Sequence, residues 1–131
     1  MSLNAAAVLD AAVGPYQGKQ SGEPPLLAAL LGGGRALEPG DVLLADRCYA
    51  SYCLIAALLA RGVDCVMRLH QRRTADFRTG TRLGREDHVV TWLKPADPPD
   101  WMARAAFDAL PAELAVREAR ARNGVGVRLD Q

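Results

Sequence analysis

The first forty residues combine apolar blocks with strong turn signals. Residues 3–13 are apolar and end in a Gly-Pro turn, which predicts a strand or a short helix. Residues 26–31 (LLAALL) follow two prolines that suit a first helical turn, and three glycines at 32–34 stop the run. This part of the chain therefore predicts one helix close to residue 26.

A strand, a helix and a second strand are predicted between residues 41 and 69. Residues 42–45 form a continuous apolar run of strand length, the pattern of a strand covered on both faces. Residues 49–61 then carry apolar side chains at helical spacing, namely Tyr52, Ile55, Ala56 and Leu59, and end at Gly62. Because residues 63–69 return to a strand pattern, the segment predicts a crossover between two parallel strands.

The pattern changes beyond residue 70. Residues 70–85 are polar and rich in arginine, residues 88–93 are apolar, and residues 94–100 form a proline-rich link. Residues 101–110 predict a short helix. Residues 114–122 alternate well enough for a strand, although a helix is also compatible with them, and residues 123–131 read as a frayed polar tail.

Composition limits the class of protein. With 131 residues, half of them hydrophobic and a quarter charged, the chain predicts one globular domain. It contains no run of ~20 apolar residues and no N-terminal signal pattern, so we expect a cytoplasmic protein without a membrane segment. The three cysteines, Cys48, Cys53 and Cys65, lack zinc-site spacing and are interpreted as free thiols.

Charge is uneven along the chain, although the net charge is only +1. Residues 61–85 contain seven arginines and two aspartates. Clustered arginines favour phosphate contact, whereas a solvated loop or a coding bias toward arginine explains the same run without a ligand. Trp92 and Trp101 are able to stack on bases, but the apolar surroundings of Trp92 favour a core position.

Asp46 directly follows the predicted strand at 42–45, at the edge where open α/β sheets place their ligands. Three roles suit a carboxylate there: metal ligand, phosphate acceptor and helix N-cap. The acceptor role needs an acidic pair and a suitably placed lysine, which Lys19 and Lys94 do not provide. The metal and capping roles remain open on the residues alone.

The run GDVLLADRCYASY at residues 40–52, followed by a helix, Gly-Val-Asp at 62–64 and His-Gln-Arg-Arg at 70–73, resembles the second catalytic aspartate segment of DDE transposases of the insertion sequence four family. Residues 14–19 (GPYQGK) and the Gly-Glu at 22–23 resemble the stretch upstream in that family. The resemblance covers about residues 3–117, and the block around Asp46 is its specific part.

This resemblance implies a partial RNase H-like α/β fold over residues 1–70, the start of a mostly β insertion over residues 71–122, and a tail at 123–131. In that family three carboxylates hold two Mg²⁺ ions, which activate the attacking oxygen and stabilise the leaving one in DNA cleavage and strand transfer. Asp46 would be the one catalytic and metal-binding carboxylate of this chain. The expected DNA contacts, at insertion-sequence ends, are Arg47, Arg68, Arg72, Arg73, Arg78, Arg82 and Arg85.

Two of the three family carboxylates have no counterpart here. The first lies upstream of the matching region, and the third belongs to a Tyr-x2-Arg-x3-Glu-x6-Lys pattern, whereas the last tyrosine of this chain is Tyr52. Asp10 is a weak substitute for the first, and Glu113 and Glu118 are expected to be solvated. We therefore expect a truncated, inactive transposase fragment, or alternatively a non-catalytic regulator that binds DNA or pairs with full-length transposase.

Overall fold

A computed structural model describes residues 11–14, 17–18, 22–33, 36–70, 72–121 and 124–129, with the backbone alone for residue 121 and for 124–129. Over these residues the chain is a mixed α/β protein built on one six-stranded sheet. Its elements are α1 (Glu23–Gly33), β1 (Val42–Ala45), a 3-10 turn (Arg47–Tyr49), α2 (Tyr52–Ala60), β2 (Asp64–Arg68), β3 (Thr81–Gly84), β4 (Asp87–Leu93), α3 (Arg104–Asp108), β5 (Glu113–Ala121) and β6 (Gly124–Leu129).

The predicted crossover is present. β1 and β2 are parallel, in register from Val42 opposite Asp64 to Ala45 opposite Met67. The Ser51 hydroxyl accepts a hydrogen bond from the Leu54 amide and caps the start of α2. Gly62 follows the helix with a φ of +72°, a conformation that glycine adopts without steric cost. The predicted strands and helix are thus confirmed to within a few residues.

The strand order is β1-β2-β6-β5-β4-β3, and every pair except β1–β2 is antiparallel. Residues 124–129 were expected as part of a polar tail, yet they form β6 between β2 and β5. A period of two is visible there, because valine or leucine alternates with glycine or arginine. The sheet consequently continues across residue 70, where the RNase H-like core was expected to end and the β insertion to begin.

The core lies on one face of the sheet. Leu54, Ile55 and Leu58 of α2 are fully buried and belong to the same core cluster as Cys65 and Met67 of β2. Burial of α2 extends beyond the predicted apolar stripe because α1 also packs on it, through Leu27 and Leu31. Each buried leucine or isoleucine contributes about 1.5–3 kcal/mol through removal of its apolar surface from water.

The opposite face of the sheet is open in the described part of the chain. Leu44 of β1 and Val66 of β2 face each other in the ladder, and they are 58% and 39% exposed. Val42 is exposed beside them. The prediction that β1 is covered on both faces is therefore wrong for the described residues, because a four-residue apolar run does not reveal how many layers pack on it.

Two further hydrogen bonds join the elements. The Tyr52 hydroxyl donates a hydrogen bond to the carbonyl oxygen of Pro111, just before β5. The Arg61 guanidinium donates to the carbonyl oxygen of Leu31 near the end of α1.

Among the described residues, no helix has the length and apolar character needed to cross a membrane.

Candidate functional site

Asp46 lies at the carboxyl end of β1, where the strand gives way to the 3-10 turn. Its backbone is extended (φ −80°, ψ 174°), and its carbonyl oxygen accepts a hydrogen bond from the Tyr49 amide at 3.1 Å. The side chain is exposed and makes no capping hydrogen bond, although it occupies the N-cap position. The capping role, which was open on sequence alone, is thus not the one that this geometry uses.

The parallel register places Arg68 beside Asp46. Ala45 lies opposite Met67, so the next residues on the two strands reach the same edge of the sheet side by side. Neighbouring strands are separated by about 4.8 Å. A carboxylate and a guanidinium therefore share this edge, and Arg47, half-buried, follows directly in the turn.

Glu23, at the start of α1, brings a second carboxylate close to this edge. The Cys48 thiol donates a hydrogen bond to Glu23 Oε2. Burial raises the pKa of Cys48 to about 11, and the hydrogen bond to Glu23 and the charges of Glu23 and Asp46 act in the same direction. Burial and the Glu23 charge likewise raise the pKa of Tyr49. A second carboxylate, Glu23, thus lies close to Asp46 at an edge that also holds Arg47 and Arg68, and sequence spacing gave no means to detect it.

These carboxylates do not complete a two-ion metal site. Within the ranges that the structure covers, no three side chains of histidine, cysteine, aspartate or glutamate are grouped so as to hold a metal ion. A magnesium site takes several oxygen ligands at once, and Glu23 already accepts a hydrogen bond from the Cys48 thiol. The residues present thus supply at most part of such a site, and Asp10 lies outside the described residues.

The predicted DNA-binding arginines separate into groups. β3 lies four strand spacings from β2, about 19 Å across the sheet, so Arg82 and Arg85 are far from Arg47 and Arg68. Arg72, Arg82 and Arg85 are exposed. Arg73 and Arg78 lie on the loop of residues 72–79, and each has a carboxylate partner.

Arg78 is held by a neighbouring carboxylate on the same loop. Its Nε donates to Asp76 Oδ1 at 2.8 Å, and its Nη2 donates to Asp76 Oδ2 at 3.0 Å. These hydrogen bonds lower the pKa of Asp76 to about 2. The loop is further closed by the Thr79 hydroxyl, which donates to the Asp76 carbonyl oxygen at 2.8 Å. Both charges of the pair are satisfied locally.

Arg73 joins a buried polar network that the sequence did not predict. Glu118 of β5 is only 3% exposed, so the expectation that it is solvated is wrong. Its Oε1 accepts from Trp92 Nε1 at 2.9 Å and from Arg73 Nε at 3.3 Å, and its Oε2 lies 3.0 Å from His88 Nε2. His88, fully buried, directs Nδ1 at the Thr79 carbonyl oxygen, 2.7 Å away.

The structure confirms the predictions for Trp92, for the cysteines and for Glu113. Trp92 is a core residue, 4% exposed, and Trp101 packs partly buried against the same core. The three cysteines are free thiols, with Cys53 and Cys65 buried. Glu113 is exposed at the start of β5.

Comparison with known proteins gives no relative for this chain: no protein-family model, no curated protein and no solved structure matches it.

Proposed function

We propose that this chain forms part of the catalytic domain of a DDE transposase of the insertion sequence four family, in which Asp46 provides one carboxylate of the metal site. The observation that carries the proposal is the position of Asp46. It is exposed at the carboxyl end of a parallel strand, followed by a turn and a crossover helix, and its side chain makes no cap hydrogen bond. A carboxylate in that position is accessible to a metal ion.

Two features of the fold are consistent with this proposal. The strand, helix and strand of residues 42–68 are followed by antiparallel strands, the order expected for part of an RNase H-like core continued by a mostly β insertion. Leu44 and Val66 also present apolar surface on the open face of the sheet. An exposed apolar row of this kind suits packing against further polypeptide of the same catalytic domain.

Mg²⁺, held by Asp46 together with carboxylates from other segments, would stabilise the charge that develops during phosphodiester cleavage. Asp46 alone is too few ligands for two such ions. We therefore propose that the chain contributes to the site and that it does not cleave DNA by itself.

A plasmid-nicking assay tests whether the chain cleaves DNA by itself. The purified chain is expected to give no Mg²⁺-dependent nicking above background, and Asp46→Ala is expected to behave in the same way. Asp41→Ala is the matched control, because Asp41 is another exposed aspartate and directly precedes β1. Its carboxylate accepts a hydrogen bond from the Glu38 amide. Nicking that requires Mg²⁺, persists in Asp41→Ala and disappears in Asp46→Ala would overturn the incomplete site.

The exposed arginines favour a second function, a non-catalytic regulator that binds DNA or pairs with full-length transposase. Arg72, Arg82 and Arg85 are exposed on the loop and hairpin between β2 and β4. Phosphate contacts by such side chains give sequence-tolerant binding that weakens steeply with salt. A regulator of this kind needs no complete metal site.

Fluorescence anisotropy with a short duplex at several salt concentrations tests the regulator function. Replacing Arg82 and Arg85 with glutamine should weaken binding and reduce the slope of log affinity against log salt by about 0.9 for each phosphate that the variant no longer neutralises. Arg104→Gln is the control, because Arg104 is an exposed arginine, the first residue of α3, that pairs with Asp97. Equal effects of the control and the double variant would count against a specific DNA surface.

A further inference from the structure

Glu118 serves three partners at once in the buried network. Its Oε1 accepts hydrogen bonds from Trp92 Nε1 at 2.9 Å and from Arg73 Nε at 3.3 Å. Its Oε2 lies 3.0 Å from His88 Nε2. Arg73 therefore shares this carboxylate with two buried side chains.

The contact between Arg73 and Glu118 is also limited to one edge of the guanidinium. A single nitrogen, Nε, lies 3.3 Å from a single oxygen of Glu118, so this pair is not the bidentate arrangement that arginine and a carboxylate often form.

Arg73 is also held in one orientation. Its Nε donates to Glu118 Oε1 at 3.3 Å, and its guanidinium carbon lies 3.8 Å from the centre of the Trp92 ring. Trp92 is fixed in turn, because its Nε1 donates to the same Glu118 oxygen. The Arg73 side chain nevertheless remains 45% exposed. A stacked and hydrogen-bonded guanidinium loses less conformational entropy when it binds a ligand than a free side chain does.

Arg78 provides the contrast within the same loop. It is 89% exposed, but two of its nitrogens bind the two oxygens of Asp76, so this pair has no net charge. Exposure alone would rank Arg78 above Arg73 as an anion ligand. The geometry ranks them in the opposite order, because Arg73 gives one nitrogen to its carboxylate and Arg78 gives two.

We infer that Arg73 is a pre-oriented phosphate-binding residue, positioned by Glu118 and Trp92, and that it is the principal phosphodiester contact of the loop at residues 72–79. This inference rests on the proposed function in that it assigns the phosphate to nucleic acid. The anion site itself is defined by the network and is testable without DNA.

The first test uses inorganic pyrophosphate as the probe and the wild-type chain, so it does not depend on a variant that folds. Arginine Nε–H signals are followed by NMR during the titration. The Arg73 signal is expected to shift further than those of Arg78 and Arg72. Shifts at Arg72 or Arg78 while Arg73 stays unchanged would overturn the inference.

The second test measures duplex binding by anisotropy. Arg73→Lys keeps the positive charge but loses the planar fork, and we expect it to weaken binding about tenfold, the equivalent of one charged hydrogen bond. Arg78→Lys, the matched control, should stay within about twofold of wild type. Equal losses in the two variants, with both still folded by thermal denaturation, would contradict the ranking.

The two tests separate the inference from the proposed function. If wild type binds no duplex but pyrophosphate shifts Arg73, nucleic acid is the wrong ligand and the anion site stands. If duplex binds but Arg73→Lys has no effect, DNA binding stands and the role of Arg73 is refuted.

Discussion

Removal of the Glu118 carboxylate should cause a large loss of stability. Glu118→Ala deletes the acceptor of three hydrogen bonds, from Trp92 at 2.9 Å, from Arg73 at 3.3 Å and in the contact with His88 at 3.0 Å. Trp92 and His88 are 4% and 0% exposed, so water cannot replace the missing acceptor without opening the core. Leaving buried partners unsatisfied in this way costs about 3–5 kcal/mol.

Glu86→Ala is the matched control. Glu86 is also a glutamate paired with an arginine, Arg120, at 3.3 Å, but the two side chains are 45% and 52% exposed. Water replaces such a partner easily, so the expected loss is below about 1 kcal/mol. Glu118→Gln, which retains one acceptor for Trp92 without the charge, should fall between the two.

Urea denaturation followed by far-ultraviolet circular dichroism measures these differences. With a slope of about 2 kcal/mol per molar urea, the midpoint of Glu118→Ala should fall by roughly 2 M relative to wild type. Glu86→Ala should move by less than about 0.5 M. Midpoints for Glu118→Ala and Glu86→Ala that coincide would refute the argument that the buried network stabilises the sheet.

Three further predictions concern the core, the turn before β3 and the Cys48 thiol near Asp46. Leu58→Ala should lose about 2–5 kcal/mol because the side chain is fully buried, whereas Leu44→Ala, 58% exposed, should change by less than about 1 kcal/mol; urea denaturation compares them. Gly80→Ala should cost at least about 1–3 kcal/mol, measured by thermal denaturation, since φ is +72° and the added Cβ would collide with a β4 carbonyl oxygen. Cys48, with its pKa raised to about 11, should hold roughly a thousandth of its thiols as thiolate at pH 8. Alkylation of Cys48, located by mass spectrometry, should therefore be slow at pH 8 and faster at higher pH. In Glu23→Gln the same rate of alkylation should be reached at a lower pH, because Glu23 raises the pKa of Cys48.

The crossover was predictable because its signals are local. A four-residue apolar run, a helical spacing of apolar side chains and Gly62 each act within a few positions, and all three agree with the structure. β5 was predicted as well, with a helix as the alternative. β3 and β6 were missed, because arginine and glycine there lower the apparent strand propensity and the pairing partners are distant in sequence.

The burial of Glu118 was not predictable from its own segment. It occupies an inward-facing position of β5 together with Leu114 and Val116, but a glutamate at such a position is ordinarily expected to be exposed. The partners that make its burial favourable, Trp92 and His88, lie 26 and 30 residues earlier. Only the pairing of β4 with β5 brings them together.

The arginines of residues 61–85 show that closeness in sequence does not predict closeness in space. Its members are close in sequence, which suggested a single surface, yet the sheet separates Arg68 from Arg82 by about 19 Å. The loop between them ties Arg73 and Arg78 to carboxylates. Position along the chain predicted positive charge and could not predict which arginines meet a carboxylate, or through how many nitrogens.

The most direct test of the proposed transposase origin is to sequence the DNA on both sides of the coding region and translate all frames. If Asp46 is the second of three transposase carboxylates, an upstream frame should supply a strand ending in aspartate and a downstream frame should supply Tyr-x2-Arg-x3-Glu. Flanking DNA that encodes neither would contradict this transposase origin, and would leave DNA binding through the arginines of this chain as the function to pursue.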